Sequence, residues 1–164
     1  MGGSSSPHGG MTMQFPSVEW FEAVQQEAEA EVEAFRRMGF CDAILLFELR
    51  TGEHSRRFLL TFEDYGMTSV RELAATETPD IDFCLAADAA VWREMIENIQ
   101  THGEADLKHT LNYLQLPGLL ELTAPDQQRA DLFYRYNQTF QQFFNLVAKV
   151  PTEYAAEPAP AEPA

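Results

Sequence analysis

The segment 127–149 constrains the fold most, because most of its large apolar residues fall on one side of a helix. At 100° per residue, seven of them lie within an arc of about 120°. They are Leu132, Phe133, Tyr136, Phe140, Phe143, Phe144 and Val147. Glutamine and asparagine residues occupy the opposite side. At least part of the apolar side must be core, and a wall so rich in rings is also typical of pockets for flat apolar ligands.

The spacing of apolar residues before this segment predicts one helix followed by a β-hairpin. A stripe at helical spacing runs through 17–38, where Ser17 is placed to cap the first turn. Glutamates cover the rest of this helix. Alternation with a period of two then predicts strands over 41–50 and 56–64, joined by a short turn that contains Gly52.

Shorter patterns predict the remaining elements. They are strands over 69–77, 81–86 and 119–123, and helices over 89–101 and 105–116. Asp88 and Asp126 precede helical segments and are expected to cap them. The order of these elements predicts an α+β domain.

Both ends of the chain differ in composition from the middle. Residues 1–13 are rich in Gly and Ser and predict a disordered leader or an added expression sequence. Residues 151–164 consist mainly of Pro, Ala and Glu and predict a disordered tail. The region 14–150 is then one domain, long enough to bury a core without a metal or a disulfide.

The charge of the chain argues against nucleic acid as a partner. There are 11 basic and 26 acidic residues, which give a net charge of −15. Binding to phosphate backbones needs clustered cations, and the only lysines are Lys108 and Lys149. No apolar run approaches the length of a membrane span. The acidic first helix is interpreted as a solvated face, with docking of a basic partner as the alternative.

Cysteine and histidine residues indicate neither a metal site nor a cofactor. Cys41 and Cys84 lie in apolar surroundings, which favours two free buried thiols in a cytoplasmic protein. The four histidines do not cluster. Gly-rich phosphate loops and nucleophile elbows are also absent from the sequence, so we expect no cofactor and no metal.

Two stretches of the sequence resemble the sterol carrier protein type 2-like family. Pro79–Asp88, followed by Ala89–Ile96, is similar to a strand of that family that ends in an acidic cap before a helix with a bulky apolar residue. Gly118–Leu122 leading to Asp126 resembles a second motif of a glycine, an alternating strand and a small turn. The chain departs from this motif at Ala124-Pro125, where the family usually has a glycine.

This resemblance implies a five-stranded, mostly antiparallel sheet with helices on one face that enclose an apolar tunnel. The tunnel of the family binds sterols, fatty acids or fatty acyl groups. Carried over to this sequence, its wall consists of Phe83, Leu85, Trp92, Met95, Ile96, Leu107, Leu111, Leu114, Phe133, Tyr136, Phe140, Phe143 and Phe144. The chain ends in Glu-Pro-Ala rather than a peroxisomal Ser-Lys-Leu signal. Its preference for Arg over Lys suggests a bacterial source.

The sequence therefore predicts a non-catalytic carrier that binds an apolar ligand of the sterol or acyl lipid class and delivers it to an enzyme. One alternative is a small isomerase or cyclase acting on a steroid or polyketide in the same pocket. The candidates for the catalytic residues of that reaction are Tyr136 and Asp64. A second alternative to the carrier is an interaction module that uses its acidic helix to bind a partner or to form a homodimer.

Overall fold

The computed structural model describes residues 11–154 of the chain. The strands are β1 (Met13–Phe15), β2 (Ala43–Thr51), β3 (His54–Glu63), β4 (Gly66–Glu72), β5 (Phe83–Asp88), β6 (Leu120–Thr123) and β7 (Thr152–Tyr154). The helices are α1 (Val18–Glu29), α2 (Val32–Met38), α3 (Ala89–His102), α4 (Leu111–Gln115), α5 (Gln127–Arg135) and α6 (Asn137–Asn145). Turns of 3₁₀ helix lie at Leu107–His109 and Leu146–Lys149.

Five strands form one mixed sheet in the order β4–β3–β2–β5–β6. β2 pairs antiparallel with β3 and parallel with β5, and both outer pairs are antiparallel. The register places Leu45 between Leu60 and Phe83, so that three fully buried side chains form a row across the sheet. The prediction of a five-stranded, mostly antiparallel sheet is confirmed.

The helices cover the face of this sheet that carries its phenylalanine residues. α1 contributes Phe21, whose ring centroid lies 5.1 Å from that of Phe47 on β2. α3 contributes Trp92, whose ring centroid lies 4.3 Å from the same Phe47 ring. α5 and α6 reach β3 and β5 in the same way. The core therefore lies between one sheet and one layer of helices, which confirms the predicted α+β class.

Two of the predicted long helices are interrupted. The segment 17–38 is divided into α1 and α2 by a turn at Ala30–Glu31. The segment 127–149 is divided into α5 and α6 at Tyr136, whose backbone leaves helical geometry at φ −106° and ψ 20°. Gly and Pro are absent from both breaks. The apolar pattern continues across them, and the sequence therefore predicted unbroken helices.

The predicted helix caps are confirmed at two positions and wrong in part at a third. Ser17 Oγ accepts a hydrogen bond from the amide of Trp20 at 3.0 Å, and Asp126 accepts one from the amide of Arg129 at 2.9 Å. Asp88 occupies the position before α3, but its side chain makes no capping bond. The start of α3 is thus set by the end of strand β5 rather than by a side-chain cap.

A short parallel pair of strands joins the two ends of the described chain. β1 and β7 pair from Met13 opposite Thr152 to Phe15 opposite Tyr154. The indole N–H of Trp20 donates a hydrogen bond to Thr152 Oγ1 at 3.0 Å, and Trp20 is fully buried. The pair therefore covers the N-terminal end of α1.

These strands lie at and just beyond the predicted limits of the domain. The sequence analysis confined the folded domain to 14–150, but β1 begins at residue 13 and β7 ends at residue 154. A three-residue strand needs only one partner for its backbone groups, and composition does not reveal such a partner. The rest of the predicted leader and tail, 1–10 and 155–164, lies outside the described residues.

Cys41 and Cys84 are both free and buried, as the sequence predicted. Burial disfavours the thiolate and raises the pKa of each thiol to about 12. Both thiols are therefore protonated at neutral pH and are poor nucleophiles.

Candidate ligand-binding site

The rings of α5, α6 and the sheet form one continuous cluster with Phe140 at its centre. The ring centroid of Phe140 lies 5.2 Å from that of Phe62, 5.4 Å from that of Phe83 and 6.2 Å from that of Phe133. These separations are the ordinary contact distances of aromatic pairs. All four side chains are at most 1% exposed. The rings themselves therefore fill the space around Phe140 in this structure.

A second group of rings continues the cluster towards α3. The rings of Trp92, Phe47 and Phe144 contact one another, with centroid distances of 4.3 Å from Trp92 to Phe47, 6.1 Å from Trp92 to Phe144 and 6.2 Å from Phe47 to Phe144. Its indole N–H donates a hydrogen bond to the carbonyl of Glu48 at 2.9 Å. This bond pairs the polar atom of a fully buried side chain and fixes the orientation of the ring.

Most of the residues predicted to line a site are brought together by the fold. The buried members are Phe83, Leu85, Trp92, Met95, Ile96, Leu111, Leu114, Phe133, Phe140, Phe143 and Phe144, and all belong to one core cluster. Tyr136 is partly buried and packs against this cluster.

Leu107 is the exception and corrects the sequence-based expectation. Its side chain is 78% exposed, so it does not cover the cluster. The prediction assumed a regular helix over 105–116, in which Leu107 would share a face with Leu111 and Leu114. The chain instead forms a 3₁₀ turn at Leu107–His109 before α4 begins, and this change turns Leu107 away from the core.

The segment 104–116, which covers the cluster between α3 and α6, is held by polar side chains of α6. Gln141 Oε1 accepts a hydrogen bond from the amide of Leu111 at 2.8 Å. One turn later, Asn145 Oδ1 accepts one from the amide of Ala105 at 3.1 Å. Side-chain bonds of this kind take the place of the missing helical bonds in this segment.

His109 joins the same segment to α3. Its Nδ1 lies 2.6 Å from Asp106 Oδ1, and its Nε2 lies 2.8 Å from Glu94 Oε2 on α3. Burial alone would lower the pKa of His109, but the two hydrogen bonds and the charges of both carboxylates outweigh it and raise the pKa. When protonated, the imidazole therefore bridges two carboxylates.

Replacing His109 by Gln should remove a stabilisation that depends on pH. A pKa raised in the folded state contributes stability fully below the unfolded value of about 6.5 and loses it as the pH rises through the folded value. We expect the wild type to exceed His109→Gln in free energy of unfolding by up to about 1 kcal/mol at pH 5.5 and by less at pH 9. Urea unfolding of both proteins at the two pH values measures this difference. A difference that is equal at both values would contradict the bridge.

Cavities open at the surface around this core. The first, of about 360 Å³, lies between α1, α2 and β4, with Val32, Tyr65 and Met67 on its wall and Glu29 and Glu63 beside them. Of the glutamates that the sequence predicted to form a solvated face of the first helix, Glu27 is buried, at 6% exposure.

The second cavity, of about 340 Å³, lies where α5 meets α6. Met38 of α2 and the junction residue Tyr136 supply apolar surface, and Arg135, Asn137 and Thr139 supply polar groups. Sequence analysis did not predict this cavity, because it results from the break at Tyr136. The only sequence signal is that Thr139 falls beside the apolar arc of the predicted helix.

The residues nominated for catalysis are not brought into contact. Asp64 lies in the turn between β3 and β4, where its carbonyl accepts a hydrogen bond from the amide of Cys41 at 2.8 Å. Tyr136 contacts Phe140, with a centroid distance of 6.4 Å, and makes no contact with Asp64. Within residues 11–154, no group of three His, Cys, Asp or Glu side chains is arranged to hold a metal ion. No helix in that range has the length and apolar content that a membrane span requires.

Solved structures of sterol carrier proteins share this fold. A crystal structure of sterol carrier protein 2 superposes with a TM-score of 0.62 at 18% identity, over 82% of this chain and 97% of that one. A conserved hypothetical protein from Thermus thermophilus, described as possibly a sterol carrier protein, superposes with a TM-score of 0.59 at 18% identity, over 84% and 90%. No family model and no curated protein matches the sequence. The chain has the sterol carrier protein 2 fold, which confirms the fold that the resemblance implied.

Proposed function

We propose that this protein binds an apolar ligand of the sterol or acyl lipid class between its sheet and its helices, and carries it without catalysis. The observation that carries the proposal is the ring-lined layer between β2, β3, β5 and α6 in a chain with this fold. One solved structure with the same fold is named sterol carrier protein 2, and another is described as possibly a sterol carrier protein. The residues predicted from the sequence, without Leu107, are the proposed lining.

Apolar burial would supply the affinity. A ligand that buries about 300 Å² of apolar surface gains about 7 kcal/mol before the cost of association is subtracted. Because the rings contact one another, the ligand must displace part of the covering layer. The segment 104–116 is the part best suited to move, since it is fastened by side-chain hydrogen bonds and covers the core through Leu111 and Leu114.

Delivery implies a second protein that receives the ligand, either an enzyme or another copy of this chain. We expect the protein to act in the cytoplasm, because Cys41 and Cys84 are unpaired. Its acidic surface would favour a basic surface on the receiving protein.

A direct experiment is to extract the purified protein with organic solvent and to identify any bound lipid by mass spectrometry. The delipidated protein should bind a fluorescent fatty acid or a fluorescent sterol with micromolar or tighter affinity. Phe140→Leu keeps the site apolar but removes the ring, and should change this affinity by about three- to tenfold. Phe40→Leu, at a side chain that is 60% exposed, is the matched control and should leave the affinity unchanged. Absence of both co-purified lipid and probe binding would contradict the proposal.

A further inference from the structure

The cleft between α1, α2 and β4 carries apolar side chains that remain accessible at the surface. Its volume of about 360 Å³ lies in the range of ligand pockets. Val32, Tyr65 and Met67 line it, and Val32 is 39% exposed. Phe40 is 60% exposed and stacks on Tyr65, with ring centroids 5.0 Å apart, so it extends the apolar surface beyond the cleft. A partner can therefore reach apolar groups here, in contrast to the buried rings of the proposed lipid site.

Two carboxylates border this apolar surface. Glu29 at the end of α1 and Glu63 at the end of β3 line the cleft, and both are exposed. Thr68 Oγ1 donates a hydrogen bond to Glu63 Oε1 at 3.0 Å and orients that carboxylate. Within residues 11–154, neither glutamate forms an ion pair. The described lining residues include no lysine, arginine or histidine, so the cleft complements a cation from outside the chain.

Arg36 shows how a guanidinium group is accepted beside this cleft. Its guanidinium carbon lies 5.7 Å from the centroid of the Tyr65 ring, within the range of cation–π contacts. The same side chain pairs with Glu33 at 3.6 Å. A guanidinium group of a partner would meet the same two kinds of group in the cleft, an aromatic ring and a carboxylate.

The position of the cleft in the sheet favours an extended occupant. β4 is the outermost strand of the five-stranded sheet, and its residues Gly66, Met67 and Thr68 line the cleft. Backbone groups on the outer side of an edge strand have no strand partner. The carbonyl of Met67 accepts a hydrogen bond from the side chain of Gln25, and the exposed residues Thr68 and Ser69 follow it along the strand. An extended peptide can bind to such an edge while its side chains alternate between two sides.

We propose that this cleft binds an extended, basic segment of a partner protein, in which arginine or lysine alternates with apolar residues. The apolar side chains of the segment lie against Val32 and Tyr65, and its cations pair with Glu29 and Glu63. The inference goes beyond the proposed function, because peptide binding at the cleft requires no bound lipid.

Fluorescence anisotropy at low ionic strength, with a labelled six-residue peptide of alternating arginine and leucine, tests this cleft. We expect the double variant Glu29→Gln, Glu63→Gln to weaken binding by about three- to tenfold. The matched double variant Glu53→Gln, Glu104→Gln removes two exposed carboxylates outside the cleft and should weaken binding by less than about twofold. Val32→Ser keeps every charge and should weaken binding by about threefold or more.

Two further peptides test the chemistry of the occupant. A peptide of alternating arginine and serine should bind more weakly than the arginine–leucine peptide and should be insensitive to Val32→Ser. A peptide of alternating glutamate and leucine should not bind, and equal binding of this peptide would overturn the basic character of the occupant. In a nuclear magnetic resonance titration with the arginine–leucine peptide, the amide signals of Gly66 and Thr68 should shift; shifts confined to other parts of the chain would overturn the site.

The remaining outcomes identify other occupants or none. Equal losses of affinity in the two double variants would show attraction to the net charge of −15 alone and would overturn the docking site. Self-association of the protein that is lost in Val32→Ser, measured by sedimentation, would identify a second copy of the chain as the occupant instead. Binding to phosphatidylcholine vesicles that is lost in the same variant would identify a membrane surface instead. Each of these outcomes leaves the co-purified lipid and the binding of the fluorescent fatty acid unchanged, so the proposed function is tested separately.

Discussion

Replacing Phe140 by Ala should lower the free energy of unfolding of the ligand-free protein by about 3–5 kcal/mol. The ring is fully buried and contacts Phe62, Phe83 and Phe133 at ordinary aromatic distances. Its removal forfeits the transfer free energy of the ring and leaves a cavity that rigid neighbours only partly fill. Urea unfolding of the delipidated wild type and variant measures this loss.

Phe40→Ala is the matched control for this measurement. Phe40 is 60% exposed and stacks on Tyr65, with ring centroids 5.0 Å apart. Truncation of this side chain should lower the free energy of unfolding by less than about 1.5 kcal/mol. If Phe140→Ala were equally mild, the ring would border an open cavity in solution instead of packed neighbours. That result would describe a ligand site already open in the free protein.

The strands of the hairpin and their inward-facing residues could be predicted, because the alternation of apolar and polar residues lies within each strand. The alternation in β2 and β3 identifies which side chains face the core, and the observed register pairs Leu45 with Leu60 as that alternation requires. The parallel pairing of β2 with β5 joins residues far apart in the chain, such as Leu45 and Phe83. Period alone does not specify such a pair, and the sequence analysis did not predict it.

The helix breaks could not be predicted in this way. Tyr136 interrupts a segment whose apolar spacing is continuous, so an unbroken helix explains the sequence equally well. Leu107 was misplaced for a related reason, since helical spacing was assumed where a 3₁₀ turn forms.

Ending the chain after Val150 should lower the free energy of unfolding by about 2–4 kcal/mol. This truncation removes β7, the backbone partner of β1, and Thr152, whose hydroxyl oxygen accepts the indole N–H of Trp20. Trp20 is fully buried in the complete chain, and its indole N–H would lose its hydrogen-bond partner. The ring of Tyr154, which lies 4.3 Å from the guanidinium carbon of Arg93, would be lost as well. Urea unfolding of the truncated and complete chains measures the difference.

A second truncation after Tyr154 is the matched control for the first. It keeps β7 and removes only residues 155–164, whose composition of Ala, Glu and Pro offers no large apolar side chain to bury. We expect the free energy of unfolding to change by less than about 0.5 kcal/mol in this variant. A smaller, isosteric change, Thr152→Val, removes the hydrogen bond to Trp20 and should reproduce about 1–3 kcal/mol of the loss. Equal stability of the two truncated chains would show that β7 does not hold the end of the fold in solution. The domain would then end at Val150, as its composition alone suggests.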